Sequence, residues 1–322
     1  MANKPNRAQQ LMEEGFEALA GHDTKRAMRI GRELKKLRHS SNFEIMAQAH
    51  VADGQTEQAV QVLKEGVGEA PTVWRLWQLL GNCYSDLERF QDCHAAYRKA
   101  LGCPGADAST IHLNRAIALE REEKHEEAIQ ALSKVCSEEL QLRRVAMTME
   151  LLIGLGRHAE ARMLGEEAAR VDAPEEEDRA ALASIYAGLG RAVWEESQTS
   201  GAALDWAWKA VALEKDEATA LWLIREVAHQ LSPSARYMRL LVRGRWSEPI
   251  TEGAEAPGFY VTYEVIADSR DEAMEMIRPF EPEAVQESLF LERCDILEKA
   301  PDQLKGVYVA APAYAYFAWK ER

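Results

Sequence analysis

The sequence lacks a long apolar run. A membrane-spanning helix needs about 18 uninterrupted apolar residues, and no stretch of the 322-residue chain provides them. The first residues, MANKPNRAQQLMEEG, contain no apolar segment of signal-peptide length. The sequence therefore predicts a soluble cytoplasmic protein without a membrane partner.

Cysteine is also scarce. Five cysteines, an odd number with no CxxC pair, do not form a disulfide framework. Cys83, Cys93 and Cys103 could be considered as metal ligands, but the closely spaced ligand pair that is typical of zinc sites is missing. We interpret Cys83 and Cys93 as buried apolar thiols and expect neither a metal nor a cofactor.

Basic residues are fewer than acidic ones. The familiar catalytic motifs are also absent from the sequence. Lys and Arg number 39 against 53 Asp and Glu, which gives a net charge of -14. Such an excess of carboxylates disfavours a nucleic-acid backbone as the main partner. The sequence has no phosphate-binding glycine loop, GxSxG elbow, HExxH or calcium loop. We therefore expect a protein that is not an enzyme.

The chain does contain a recurring helical unit. In WRLWQLLGNCYSDLERFQDCHAAYRKALGCPG (residues 74–105) large apolar residues recur at steps of three and four, which is the helical period. Small residues that suit a helix contact recur at Ala27, Ala59, Cys93, Ala128 and Ala161, with spacings of 32, 34, 35 and 33 residues. Helices this short are unstable alone, so the units must stack on one another.

The residues of these units resemble the tetratricopeptide repeat family. Trp77, Leu80, Gly81 and Tyr84 match the pattern of the first helix of a unit, and Tyr97 and Ala100 match that of the second. The resemblance covers about residues 8–231. It implies a mainly α fold, a right-handed α-solenoid of helix-turn-helix repeats. About eight extra residues (191–202) are expected to form a loop between the helices of the last unit.

The resemblance also implies a binding surface, because the first helices of such repeats line a concave groove that takes peptides or partner domains. Here those helices are expected near residues 74–86, 109–121 and 142–154. One version of the family grips a C-terminal carboxylate. The corresponding positions are Gln78, Asn82, Asn114, Arg143 and Met147, of which Gln78 and Met147 lack the required cation. The predicted groove residues are Arg75, Gln78, Asn82, Asn114, Arg121 and Arg143.

One helix of the first unit is unusually basic. In KRAMRIGRELKKLRH the residues Lys25, Arg29, Arg32 and Lys36 form one row on a helix. A solvated helix face is the favoured interpretation. A docking patch for an anionic partner is the alternative.

After Ser232 the period changes from helical to alternating. Five segments rich in β-branched and aromatic residues read as strands, namely 237–246, 258–267, 287–297, 305–311 and 313–319. Ser269 and Glu272 resemble a capping box that begins a helix between the second and third strands. The sequence predicts a small α+β domain with an antiparallel sheet over residues 235–322, following a helical domain over 1–231. We expect this domain to pack against Trp206, Trp208 and Trp222.

The alternation of polar and apolar residues along the strands also suggests a possible site on the sheet. Arg239, Arg243 and Arg245 share one side of the first strand, and Tyr260 lies on one side of the second. A half-solvated antiparallel sheet predicts the same pattern without a site.

Together these features predict an adaptor or scaffold that binds a partner protein or peptide in the groove. One alternative is a sensor or regulatory, immunity-like protein whose C-terminal domain binds a ligand or partner. The other is an enzyme with an unfamiliar active site in residues 235–322.

Overall fold

The computed structural model describes residues 7–170, 176–248, 257–298 and 303–317. The chain divides into two compact units, Met1–Arg144 and Val145–Arg322, which are described in turn. The predicted boundary between residues 231 and 235 differs from this division and stays a prediction.

The first unit consists of paired antiparallel helices. They are α1 (Arg7–Ala20), α2 (Thr24–Lys36), α3 (Ser41–Ala52), α4 (Thr56–Glu69), α5 (Trp74–Asp86), α6 (Phe90–Leu101), α7 (Ala108–Arg121) and α8 (His125–Leu132). Each second helix packs on the first helix of its pair, and α1, α3, α5 and α7 pack side by side. The first helices therefore form one continuous layer, as the predicted solenoid requires.

Small residues allow these helices to approach closely. Ala27, Ala59 and Cys93 are fully buried at the helix contacts. Gly81 is one such position, because a Cβ added there would lie 2.6 Å from the ring of Tyr97. The alanine period in the sequence is thus the period of helix contacts.

The turns repeat with the same period. The first helix of each pair is followed by a residue with left-handed φ, and these residues are His22, Gly54, Glu88, Glu123 and Gly156. Their spacings are again 32, 34, 35 and 33 residues. In each turn the next N–H donates to the carbonyl five residues earlier, as from Arg89 to Tyr84 at 2.8 Å. This bond satisfies a carbonyl that the helix end would otherwise leave unpaired.

The second unit begins within α9 (Gln141–Gly154) and continues through α10 (His158–Ala168), α11 (Arg179–Ser197), α12 (Ser200–Leu213) and α13 (Ala218–Ala228). The loop predicted over residues 191–202 is wrong in large part, because α11 extends to Ser197. Residues 191–197 contain neither Gly nor Pro, and Arg191 pairs with Glu195 one turn later at 2.6 Å. The extra residues therefore lengthen the helix.

The predicted antiparallel sheet is confirmed. Its strands are β1 (Arg236–Arg245), β2 (Gly258–Ala267), β3 (Phe290–Leu297), β4 (Gly306–Ala310) and β5 (Ala315–Phe317). They lie in the order β3-β1-β2-β4, and β5 also pairs with β2. The third strand starts later than predicted because a short helix, α15 (Glu283–Gln286), precedes it. Residues 318–319 of the last predicted strand lie outside the described residues.

The predicted capping box is present in a modified form, because Glu272 accepts the N–H of the residue before the N-cap Ser269. The helix α14 (Arg270–Ile277) begins after Ser269, whose Oγ accepts the N–H of Glu272 at 3.1 Å. The Glu272 carboxylate in turn accepts the N–H of Asp268 at 2.6 Å. Two N–H groups at the helix start are thereby satisfied.

The helices α11 to α13 and the sheet share one hydrophobic core. Buried residues from the helices, such as Leu223, belong to the same cluster as Leu240 and Phe259 of the sheet. Trp208 and Trp222 also pack against this cluster, as predicted. Trp206 does not belong to it, and its ring instead lies 5.5 Å from that of Tyr186 on α11. Trp208 contacts Phe280 with ring centroids 5.1 Å apart, and Phe280 in turn contacts Tyr263 of β2.

The segment between α13 and β1 is held by hydrogen bonds. Asp268 accepts the hydroxyls of Ser232 and Ser234, the latter at 2.7 Å, and the ammonium of Lys305 at 2.8 Å. The backbone N–H of Lys305 donates to the carbonyl of Gln230 at 2.8 Å. The short connection is therefore anchored to the sheet.

Candidate partner-binding groove

Three of the predicted groove residues meet at one cavity between α5 and α7. Asn82, Asn114 and Arg121 line a cavity of about 190 Å³. The remaining lining residues are Ser85, Asp86, Tyr97 and Ile117. Helical spacing explains the convergence, because Asn82 and Asp86 lie four residues apart on α5, as do Ile117 and Arg121 on α7.

A buried tyrosine orients the amide of Asn82. The hydroxyl of Tyr97 donates to Asn82 Oδ1 at 2.8 Å. Asn82 Nδ2 donates to no group in the described part of the chain, which leaves both of its hydrogens for a ligand. Burial raises the pKa of Tyr97, which keeps the hydroxyl protonated as a donor at neutral pH. Because Tyr97 packs directly against Gly81, the orientation of Asn82 depends on the helix contact beneath it.

Two further polar groups at the cavity have hydrogen-bonding capacity to spare. Ser85 is buried, and its Oγ has no hydrogen-bond partner among the described residues. The Asn114 amide, which is partly exposed, likewise makes no hydrogen bond within the described part of the chain. An unsatisfied buried polar group costs about 1–3 kcal/mol, so a ligand that pairs with Ser85 gains free energy.

The charge at the cavity is balanced. Arg121 Nη1 lies 2.7 Å from Asp86 Oδ1, and both side chains are about half exposed. Exposed pairs of this kind contribute little to stability, about 0–1 kcal/mol. The pair supplies both a cation and a carboxylate at the rim, which a partner of either charge could contact.

The other predicted groove residues do not line this cavity. Arg75 is exposed, with its guanidinium 5.4 Å from the ring of Trp74. Gln78 is partly buried on α5, and Arg143 is exposed near the start of α9. The other lining residues Ser85, Tyr97 and Ile117 were not predicted as site residues. The repeat pattern in the sequence includes Gly81 and Tyr97. Their packing against each other places the Tyr97 hydroxyl beside Asn82, so this pair was the feature that could have predicted the contact.

The cysteines behave as predicted for buried thiols. Cys83 and Cys93 are 3% and 0% exposed. Burial raises the pKa of Cys83 to about 12 and that of Cys93 to about 11, so neither forms a reactive thiolate at neutral pH. Among the described residues, no group of three or more His, Cys, Asp or Glu is arranged to hold a metal ion.

The predicted residues on the sheet are engaged with their neighbours. Arg239 Nη2 lies 2.7 Å from Glu264 Oε1 on the adjacent strand. Arg243 lies 3.6 Å from Glu292, and Tyr260 stacks on Phe317 with ring centroids 4.7 Å apart. The backbone N–H of Arg245 donates to Ser288 Oγ at 2.9 Å. These contacts are those of an antiparallel sheet with cross-strand pairs.

Comparison with known proteins supports the repeat. Residues 75–102 match the family model described as tetratricopeptide repeat. The predicted resemblance is thereby confirmed over these residues, which carry one tetratricopeptide repeat. No match was found among curated proteins.

Several solved structures are similar to the chain at low sequence identity. A chain of the APC/C hetero-tetramer Cut9–Hcn1 is 11% identical, with a TM-score of 0.53, and the match covers 70% of this chain and 44% of that one. A tetratricopeptide repeat protein from Parabacteroides merdae is 16% identical, with a TM-score of 0.49 and coverage of 70% and 86%. PilF of Pseudomonas aeruginosa is 18% identical, with a TM-score of 0.49 and coverage of 59% and 83%.

Within the described residues, the helices are too short or too polar to cross a lipid bilayer.

Proposed function

We propose that this protein is an interaction adaptor that binds an extended segment of a partner protein along α5 and α7. The observation that supports the proposal is the cavity in which Asn82, Asn114 and Ser85 present unused hydrogen-bonding groups on the layer of first helices. The repeat architecture supports it as well, because the stacked units form a continuous surface whose outer side chains are not needed for the core.

The chemistry of the cavity suits a polypeptide. Carboxamides both donate and accept, so Asn82 and Asn114 can pair with the N–H and C=O groups of an extended backbone. The cavity of about 190 Å³ can receive one side chain of the partner, and Ile117 provides an apolar contact for it. We propose that the exposed Arg143 of α9 makes a further contact with the same partner.

Charge should influence the rate of association. Because the net charge is -14, a basic or mixed-charge segment is attracted to the protein more strongly than an acidic one at this groove. Binding should weaken as the salt concentration rises. A cytoplasmic location is part of the proposal.

The two alternatives both depend on residues 235–322. There the predicted residues Arg239 and Arg243 are paired with carboxylates of neighbouring strands. This arrangement favours a structural role for them over a ligand-binding or catalytic one, so the adaptor function is preferred.

The test compares two triple variants of the full chain. Partners are first captured from the source cells and identified by mass spectrometry, and their affinities are then measured by calorimetry. The groove variant replaces Asn82, Asn114 and Arg143 with alanine. The control replaces two exposed carboxamides and an exposed arginine of the second helices, and its positions are Gln91, Arg98 and Gln130.

We expect the groove variant to lose at least tenfold in affinity, about 1.4 kcal/mol, with an unchanged helical circular dichroism signal. The control should bind like wild type. A partner that binds the groove variant as tightly as wild type would contradict the groove assignment. Tyr97→Phe provides an independent check, since it removes only the hydroxyl that orients Asn82 and should weaken binding without altering the surface.

A further inference from the structure

The second helix, α2, has a basic face that nothing in the described structure neutralises. Lys25, Arg29, Arg32 and Lys36 are all exposed. None of them forms an ion pair with a described residue. In a chain with a net charge of -14, such a cluster is a local region of positive potential. The sequence alone favoured a solvated helix face over a docking patch for an anionic partner.

A cavity at the C-terminal end of α2 favours the docking patch. It has a volume of about 470 Å³, and its lining includes Lys35, Arg38, Asn42, Phe43 and Glu69. Volumes of this size are typical of ligand-binding pockets, which are about 300–1,000 Å³. Lys35 is already paired with Glu65 at 2.6 Å, whereas Arg38 is exposed and has no ion pair among the described residues. The cavity therefore adds Arg38, a further exposed cation, just beyond the C-terminal end of α2.

The cavity contains a buried polar group that lacks a partner. Asn42 is only 2% exposed, and its Nδ2 donates to the carbonyl of His39 at 2.8 Å. Its Oδ1 has no hydrogen-bond partner within the described part of the chain. An unpaired acceptor in a buried position is destabilising, and a ligand that supplies an N–H would satisfy it. The site thus combines cations for an anionic group with an acceptor for an N–H.

From these features we propose that the α2 face (Lys25, Arg29, Arg32, Lys36) and the adjoining cavity bind an acidic segment of a partner protein. Carboxylates of the segment pair with the arginines and lysines, and a backbone N–H reaches the Asn42 acceptor. The row from Lys25 to Lys36 is about 16 Å long at 1.5 Å per residue, which about five residues of extended peptide span at roughly 3.3 Å each. A sixth or seventh residue would enter the cavity.

A protein segment fits this surface better than a nucleic acid does. Single-stranded nucleic acids bind through aromatic side chains on which bases stack, and α2 contains no aromatic residue. The carboxylate of Glu69 in the cavity lining can accept a hydrogen bond from a backbone N–H of the peptide. This site lies on other helices than the α5 and α7 cavity, so the two proposals can fail separately.

The experiment measures binding of a fluorescein-labelled decapeptide of alternating Glu and Gly to the full chain by fluorescence polarisation. The same peptide with every Glu replaced by Gln tests the need for charge. The face variant is Arg29→Gln, Arg32→Gln and Lys36→Gln. The control variant removes three exposed cations from α4 and α6 (Lys64→Gln, Arg98→Gln and Lys99→Gln) and so changes the net charge equally. Arg38→Asn tests the cavity, because asparagine tolerates the left-handed φ of 55° found there.

We expect the Glu peptide to bind wild type and the control with similar affinity, to lose at least tenfold with the face variant and to weaken with Arg38→Asn. The Gln peptide should not bind. Equal losses in the face and control variants would show that only the net charge matters and would overturn the proposal. It would also be overturned if neither peptide bound, if both bound alike, or if duplex DNA or phosphatidylserine vesicles bound through the same residues more tightly than the Glu peptide.

Discussion

Glu281 provides the sharpest prediction about stability, because its carboxylate is fully buried and paired. Its side chain is 0% exposed and accepts the ammonium of Lys215 at 3.0 Å. The hydroxyls of Tyr263 and Tyr314 also donate to it, the latter at 2.6 Å. Lys215 lies in the connection between α12 and α13, so this cluster joins the helices of the second unit to its sheet. We predict that Lys215→Met loosens the sheet.

The magnitude follows from what the substitution leaves behind. Methionine keeps the length and apolar character of the side chain but removes the ammonium. Breaking a buried ion pair by removing one partner costs about 3–5 kcal/mol, because the remaining charge is uncompensated. The two tyrosine hydroxyls stay in place and the Lys215 side chain is 13% exposed, so we expect the lower end, about 3 kcal/mol. That value corresponds to opening of the sheet about 100-fold more often.

Hydrogen exchange followed by mass spectrometry is the appropriate assay, since a chain with two compact units need not unfold in one step. Amides of β2 should exchange about 100-fold faster in Lys215→Met, while those of α5 in the first unit serve as an internal control. Lys209→Met is the matched substitution on α12, where the exposed ammonium lies 4.1 Å from the Trp206 ring. It should cost about 0.5–1 kcal/mol.

A double variant separates charge from packing. If the cost comes from an unpaired carboxylate, Lys215→Met combined with Glu281→Gln should destabilise less than the sum of the two single changes. The reasoning is wrong if Lys215→Met speeds exchange in β2 no more than Lys209→Met does.

Three other predictions concern single residues. Gly81→Ala should lower the melting temperature, because its Cβ would lie 2.6 Å from the Tyr97 ring and overpacking costs about 1–3 kcal/mol, more than the gain of about 1 kcal/mol in helix propensity. A thiol reagent on native protein should label the exposed Cys136 quickly and Cys83 slowly, because burial raises the Cys83 pKa to about 12. Hydrogen bonds from a lysine and two serines lower the pKa of Asp268. The stability that it contributes should therefore be complete above about pH 4 and decline at lower pH.

Each of these has its own control. Gly68→Ala, also in a helix but with open space around the added Cβ, should raise the melting temperature, and a similar fall for both glycine variants would contradict the packing argument. Fast labelling of Cys83 in folded protein would show that the α5 and α6 contact opens readily. The difference in melting temperature between wild type and Asp268→Asn should narrow from pH 7 to pH 3, and a constant difference would exclude the carboxylate as its cause.

The helical architecture was predictable because its determinants are local. Small residues at helix contacts and left-handed residues at turns both repeat with spacings of 32, 34, 35 and 33, and each follows from steric limits on a few neighbouring residues. The same holds for the sheet, where alternation placed Arg239 and Arg243 correctly on one face. Periodicity reports which side of an element is buried, and that was enough for the fold class.

Features that depend on distant pairs were not predictable. Lys215 and Glu281 are separated by 66 residues in the sequence. The sequence also does not distinguish a glutamate that is buried from one that is exposed. The extension of α11 was missed because polar residues between two apolar stripes suit either a loop or extra helical turns. At the candidate groove, the resemblance to the tetratricopeptide repeat selected Asn82 and Asn114, but only the structure shows that the Tyr97 hydroxyl holds the Asn82 amide in place.

The shared core of α11 to α13 and the sheet has a consequence for synthesis on the ribosome. The helices emerge first, and the strands that cover Leu223 and its neighbours follow over residues 236–310. At about 5–20 residues per second, those 75 residues take roughly 4–15 s to appear. During that interval the apolar sides of the last helices have no sheet to pack against, so we expect nascent chains halted before β2 to be bound by chaperones more than chains halted after β4.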